Sequence, residues 1–303
     1  MQKIYALTIT SLLLAGGAAS SVQGQSLVGG FMSGKGHGSI VVSGTTERYE
    51  SVYLAPAKID HVPAYEGVRV NSLNLYGTYG ITDKIDAVIS LPYIQSKSSA
   101  DEAVIKDLAA LQPTKGFASS RQGLQDITGL LKFKAYTRET SSGILDLLGV
   151  VSVSTPASNY ETDQGLGYII AIGNRATKYT ALGVAHLKTG SGIFATGQIG
   201  YSLRTGPVPN ALLGEAKLGY AGPKTYLEAY ASFQESNGGT DITENGFDTS
   251  FFPATRVNYV RIGASVYRPL AQGFGAVLGA NTYVAGRNIG KSTGYSLGIT
   301  YNF

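Results

Sequence analysis

The 303-residue chain contains no cysteine and no tryptophan, and only 15% of its residues are charged. Without thiols there is no disulfide framework, no thiolate metal site and no lipoprotein acylation site. Soluble globular chains usually carry about a quarter charged residues, so the shortfall is informative. Long apolar runs are also missing. Beyond the N-terminal stretch, no segment approaches the roughly eighteen consecutive apolar residues that a helical membrane span requires. The net charge of +4 is small and dispersed, which excludes the basic footprint of a nucleic-acid binder. What is present in quantity is glycine (40) and tyrosine (20), with 43% hydrophobic residues overall. Low charge without long apolar runs is the composition of strands whose side chains alternate between lipid and a polar lumen.

The N-terminus reads as an export signal. Met1-Gln2-Lys3 is a short basic start, Ile4 to Ala19 is a mostly apolar run, and Val22 and Gly24 occupy the small-residue positions before a cleavage site at Gln25. A membrane anchor would need a longer run and a charged cluster after it. The expected organisation is therefore a signal peptide over 1–24 and one barrel domain over 25–303.

Period-two alternation dominates after residue 38. Tyr295, Leu297, Ile299, Tyr301 and Phe303 alternate with Gly294, Ser296, Gly298, Thr300 and Asn302. Leu227, Ala229, Ala231 and Phe233 alternate with Glu228, Tyr230, Ser232 and Gln234, and Ile127, Gly129, Leu131, Phe133 and Ala135 with Thr128, Leu130, Lys132, Lys134 and Tyr136. On this pattern strands are expected near 38–50, 68–80, 84–95, 124–136, 143–155 and 177–188. Six more fall near 192–205, 211–221, 225–236, 256–267, 273–285 and 292–303. Most are long enough for a tilted crossing of ~9–11 residues, whereas globular strands average about five or six.

The connections alternate as well. Ile81 to Asp83, Thr137 to Ser142, Thr189 to Ser191, Gly222 to Lys224 and Arg268 to Gln272 are short. The segments 51–67, 96–123, 156–176, 237–255 and 286–291 are longer, with Gly206 to Pro209 a brief exception. Short periplasmic turns against longer external loops, with both termini on one side, is the rhythm of an outer-membrane barrel. Closure follows from backbone accounting: hydrocarbon offers nothing to an unpaired edge strand. The sequence thus predicts an all-β fold, a closed antiparallel transmembrane β-barrel of about twelve strands in a Gram-negative-type outer membrane. The aromatic-ended last strand closing on Phe303 resembles the segment that the barrel assembly machinery reads in such proteins.

Two motifs carry a family resemblance. The hairpin Leu75 to Tyr93 (LYGTYGITDKIDAVISLPY) and Gly123-Leu-Gln-Asp126 followed by Lys132-Phe133 resemble the outer-membrane transporter family labelled "MetA-pathway of phenol degradation", distantly similar to FadL-type channels. The resemblance implies passage of small, hydrophobic or aromatic molecules. It departs at the N-terminus. FadL-type channels have a substantial plug there, whereas about thirteen residues separate Gln25 from the first strand, which argues against a gated hydrophobic pathway.

Candidate chemistry is sparse. Gly286-Arg-Asn-Ile-Gly290-Lys291-Ser292 imitates a phosphate-binding loop, but one residue is missing between the glycines and a strand follows where a helix is needed. Gly190-Ser-Gly192 reads as a hairpin turn. His37, His61 and His186 show no paired metal spacing; His186 would need a serine and an acid within reach to serve a hydrolase. Asp241, Glu244 and Asp248 are hard-oxygen candidates for calcium with a spacing that fits no known loop. Residues 101–112 have helical periodicity and are expected as a loop helix. No cofactor is expected. Polar-parity positions Asp86, Lys132, Lys134, Asp146, Arg204, Glu215, Lys217, Glu228 and Arg261 must face inward, because a charge facing lipid costs about 2–4 kcal/mol at the midplane. Their mixed signs argue against strong ion selectivity. The expected function is passive passage of small molecules through an outer-membrane channel. An occluded structural or surface-recognition barrel is the alternative, and an outer-membrane hydrolase the third reading.

Overall fold

A computed structural model describes residues 28–54, 58–60, 62, 65–99, 120–162, 166–244 and 249–303. The expected signal peptide over 1–24, the loop helix over 101–112, His61 and Asp248 lie outside the described residues. In chain order the strands are β1 (Gly38–Tyr49), β2 (Val52–Tyr53), β3 (Lys58–Ile59), β4 (Gly67–Thr82) and β5 (Ile85–Ser99). They continue with β6 (Ser120–Leu124), β7 (Asp126–Thr140), β8 (Gly143–Pro156), β9 (Lys178–Lys188), β10 (Ile193–Arg204) and β11 (Asn210–Ala221). The last are β12 (Tyr226–Asn237), β13 (Asn258–Pro269), β14 (Phe274–Arg287), β15 (Ile289–Gly290) and β16 (Thr293–Asn302). With β6 and β7 forming one crossing, twelve strands build a closed antiparallel barrel.

Every neighbour in the ring is antiparallel. The seam closes where β1 pairs with β4 on one side and β16 on the other, for example Val41 with Tyr76 and with Thr300. A strand of about twelve residues, rising ~3.3 Å per residue and tilted ~40°, covers roughly the 30 Å of a hydrocarbon core. Pro92, which has no N–H to donate, sits opposite the one-residue break between β6 and β7, where Gln125 N–H donates to its carbonyl at 2.9 Å.

The two faces are inverted relative to a soluble protein. Ile199 (57% exposed), Leu218 (63%), Leu297 (58%) and Leu73 (54%) point outward, while Asp86, Lys132, Glu215, Lys217 and Arg261 are buried inside. Leaving such side chains in water would forgo about 1.5–3 kcal/mol apiece, so this surface is made for lipid. Tyr79, Phe274, Tyr301 and Phe303 cluster outside at the short-turn rim, with Phe274 and Tyr301 rings 5.0 Å apart and Tyr79 and Phe303 6.5 Å apart. They form part of an interfacial aromatic girdle.

The sequence-based strands match within a few residues, with two physical differences. β7 runs on to Thr140, so the turn predicted over Thr137 to Ser142 shrinks to its last two residues. A bulge lies between Lys134 and Tyr136, where Lys134 pairs with Leu148 and Tyr136 with Leu147. The extra residue resets the alternation. Tyr136, expected on the polar face, is therefore 51% exposed to the outside. A small sheet outside the barrel was not anticipated: β2 pairs with β15 and β3 beyond the long-loop rim.

Candidate functional site

The site is the lumen, and the chain itself occupies it. Residues 28–37 enter at the short-turn rim and run up inside the barrel. At the rim Gly34 and Gly36 both take φ of +79°, a left-handed backbone that glycine adopts without penalty. This lets the segment bond to the barrel edge. Gly36 N–H donates to Gly80 O at 2.9 Å, Gly80 N–H donates to His37 O at 2.8 Å, and Lys35 N–H donates to Asp83 Oδ1 at 2.9 Å.

Further in, barrel side chains satisfy the segment's backbone, which no sheet pairs. Lys132 Nζ donates to the carbonyls of Phe31 and, at 3.5 Å, Gly29, and it is held 3.2 Å from Asp86. The same Asp86 Oδ2 that pairs with Lys132 also accepts the Ser33 N–H at 3.0 Å. Gln198 Nε2 donates to Val28 O at 2.8 Å and to Glu215 Oε1 at 2.7 Å, and Lys217 lies 3.1 Å from that same carboxylate. Apolar contacts complete the fit. Val28 packs among Leu148, Val150, Leu182, Val184 and Leu213. The Phe31 ring lies edge-on to His186 (4.4 Å) and Phe194 (5.1 Å). Gly30 sits so close to His186 that an added Cβ would stand 2.2 Å from Nδ1.

The opposite end is capped. The loop after β8 folds inward, and its 3-10 helix Leu166–Ile170 buries Ile170 completely against Val52, Val62, Tyr65 and Val68. Tyr160 donates to Asp126 Oδ1 at 2.5 Å while Arg175 N–H donates to the phenol oxygen at 3.0 Å. Tyr168 stacks on Phe252, centroids 5.4 Å apart, from the 3-10 helix Thr249–Ala254 of another loop. Burial pushes the Tyr168 phenol up to about 12 and raises that of Tyr160, so both are neutral in ordinary conditions. That second loop is latched by Asp241, whose carboxylate accepts both guanidinium nitrogens of Arg287 and the Asn288 amide at 2.8 Å. The Arg287 hydrogen bond holds the Asp241 carboxyl below its ordinary value. Asp241 is thus an ion-pair partner in this fold, and no three-residue His/Cys/Asp/Glu group suited to a metal occurs among the described residues, which do not include Asp248.

Of the nine charged residues expected to face inward, Asp86, Lys132, Glu215, Lys217, Glu228 and Arg261 are buried and Lys134, Asp146 and Arg204 half-buried, and the fold sorts them unequally. Asp86 with Lys132, Glu215 with Lys217, and Lys134 with Asp146 at 3.6 Å form ion pairs. Glu228 accepts from Tyr226 Oη at 2.6 Å and Ser265 Oγ at 3.2 Å. Arg204 and Arg261 are treated separately by the structure: neither has a carboxylate within 4.0 Å among the described residues. His186 faces Thr196 Oγ1 at 2.7 Å, not a serine, and its register neighbour Asp146 is engaged by Thr137 and Lys134. The near-Walker string forms the end of β14, a tight turn with Asn288 at φ +53° and β15, so it has no phosphate-cradling helix. Sequence reasoning missed the lumen segment. The signal that could have found it is Gly29-Gly30 and Gly34-Lys35-Gly36-His37-Gly38, a glycine density suited to close backbone approach.

A closed barrel with an apolar exterior, a charged interior and short turns at one rim defines a protein of the outer-membrane β-barrel class. Comparison with solved structures agrees. The COG4313 outer membrane channel from Pseudomonas putida F1 superposes with TM-score 0.67 at 14% identity, covering 95% of this chain and 98% of that one. The NanC porin (TM-score 0.48, 7% identity, 86% and 98% covered) and the TodX deltaS2S3 mutant monoaromatic hydrocarbon channel (0.45, 6%, 94% and 97%) are less similar. At these identities the likeness establishes the fold. Neither a protein-family model nor a curated protein matches the chain by sequence.

Proposed function

We propose that the chain is a non-catalytic outer-membrane channel for passive passage of small molecules, kept shut by its own residues 28–33. The observation that carries this reading is the polar seating of that segment. Its carbonyls are held by Lys132 and Gln198 rather than by a sheet ladder, so it can leave without unzipping a strand. A structural barrel needs no such detachable filling; a core of large side chains would serve it better. The hairpin Leu75 to Tyr93 supports a hydrophobic or aromatic cargo through its resemblance to the "MetA-pathway of phenol degradation" family. Export through residues 1–24, insertion guided by the strand ending in Phe303, and inner-face charges that line the opened pathway belong to the same reading.

A second reading, the occluded surface-recognition barrel, is favoured by the capped long-loop mouth. Planar-bilayer recording separates the two. The channel reading expects small or infrequent currents from the refolded wild type and large, sustained ones after residues 28–33 are deleted. Silence from both proteins, each shown to be folded, would favour the occluded barrel.

A further inference from the structure

The inner-face cations divide into two groups. Lys132, Lys134, Lys178 and Lys217 each have a carboxylate partner, at 3.2, 3.6, 2.9 and 3.1 Å. Arg261 and Arg204 have none within 4.0 Å among the described residues, and neither has Lys188, which sits over the Phe31 ring at the short-turn rim. Arg261 is 98% removed from solvent by its 2% exposure, and its Nε has no hydrogen-bond partner among the described residues. Arg204 donates through one terminal nitrogen to Gln234 Oε1 at 2.6 Å, and its Nε is likewise without a partner. Both lie in the long-loop half of the barrel, Arg204 ending β10 and Arg261 near the start of β13.

Aromatic rings surround them. The Arg261 guanidinium lies 5.9 Å from the Tyr283 ring centroid and 6.0 Å from that of Tyr230. Tyr259 packs edge-on to Tyr283 at 5.3 Å and is within electrostatic reach of both arginines. Glu47 is the carboxylate whose charge reaches Arg261, but it stands beyond 4.0 Å and accepts from Ser292 Oγ at 3.0 Å. Ring faces soften a buried guanidinium, and the Tyr283 hydroxyl interacts with it as well, but Nε is left without an acceptor among the described residues. A buried cation with no carboxylate in contact and with incomplete hydrogen bonding is unfavourable, and an arginine fork matches a carboxylate best.

We infer that Arg261 and Arg204, with Tyr230, Tyr259 and Tyr283, form a binding site for a small organic carboxylate with a flat, aromatic body. The carboxylate supplies the missing counter-charge and the rings stack on the flat part. The inference rests on the channel reading for its purpose, as a selectivity station on the pathway, but its chemistry is testable alone. It also revises the expectation from mixed signs: lumen charges balance on average, while this station does not.

The test is isothermal titration calorimetry of the detergent-refolded full chain, with folding checked by heat-modifiable gel mobility. Benzoate is the probe, benzamide its neutral isostere and acetate the anion without a ring. Benzoate is expected to bind at least about tenfold more tightly than either. Arg261→Gln should lose that tenfold, and Arg204→Gln several-fold, covering the case in which the first variant does not fold. Equal binding of benzoate and benzamide, or no binding to wild type and to Gly30→Leu, whose lumen segment is displaced, overturns the site. Benzoate affinity equal to that of acetate overturns the role of the rings. A protein that binds benzoate yet never conducts sinks the channel reading alone, and a conducting one indifferent to benzoate sinks this site alone.

Discussion

Lys132 is the residue on which the lumen segment most depends. It is 5% exposed, ion-paired to a fully buried Asp86, and donates to two segment carbonyls. Lys132→Met strands the Asp86 charge, and breaking one half of a buried pair costs about 3–5 kcal/mol. Urea unfolding in detergent should show that loss, and bilayer recording should show more frequent opening. The double change Lys132→Met with Asp86→Leu should recover most of the stability while the channel stays open, because the apolar pair leaves no orphan charge. Full stability recovery with closed behaviour would mean the segment is held by packing alone. At the cap, Asp241 makes a pH prediction. Its folded-state value lies below the ordinary carboxylate value of 3.8, so its contribution is complete above that value and is lost as pH falls through the lower one. Limited proteolysis of the loop over 238–257 should therefore be unchanged from pH 8 to about pH 5 and accelerate only below about pH 4. Acceleration near neutrality would point to another group.

At the level of elements, the barrel strands were legible and the inserted segments were not. Alternation in β10, β12 and β16 places Ile199, Leu227 and Leu297 outside because period two is a local property of extended chain. The lumen segment has no periodicity, and its conformation is set by partners far away in sequence: Lys132, His186 and Gln198. Nor does any local pattern mark the 3-10 helix that seals the long-loop end, since Ile170 is buried by residues more than a hundred positions earlier. Gly30 tests the segment's fit. Gly30→Leu adds a side chain where the Cβ alone meets His186 at 2.2 Å, so the segment should be pushed from its seat. The expected result is raised conductance with a stability loss of about 1–3 kcal/mol, the usual scale for overpacking. Unaltered currents from a folded Gly30→Leu protein would show that the segment does not gate the lumen.

For the whole molecule, the claim that carries most weight is lipid on the outside of the ring. Ile199, midway along β10, is 57% exposed on that face. Ile199→Arg should destabilise the refolded barrel by about 2–4 kcal/mol in bilayers, whereas the same change on a water-facing strand is usually within about 0.5 kcal/mol. Refolding titrations into phosphatidylcholine vesicles measure the difference, and a neutral result would count against the membrane face. Closure itself rests on the β1–β16 ladder, which joins the chain's first and last strands.

The sequence by itself determined which segments span and, apart from the stretch beyond the β7 bulge, which face of each meets lipid. Both follow from strand periodicity and from the cost of a charge in hydrocarbon. Register, and everything that depends on it, was decided only by the tertiary structure. Whether an inward charge finds a partner is a matter of which residues stand opposite across neighbouring strands: Lys217 meets Glu215, and Arg261 meets tyrosines. Likewise, ten residues ahead of β1 became part of the lumen because a ring of twelve strands leaves a space that a short glycine-rich segment can fill.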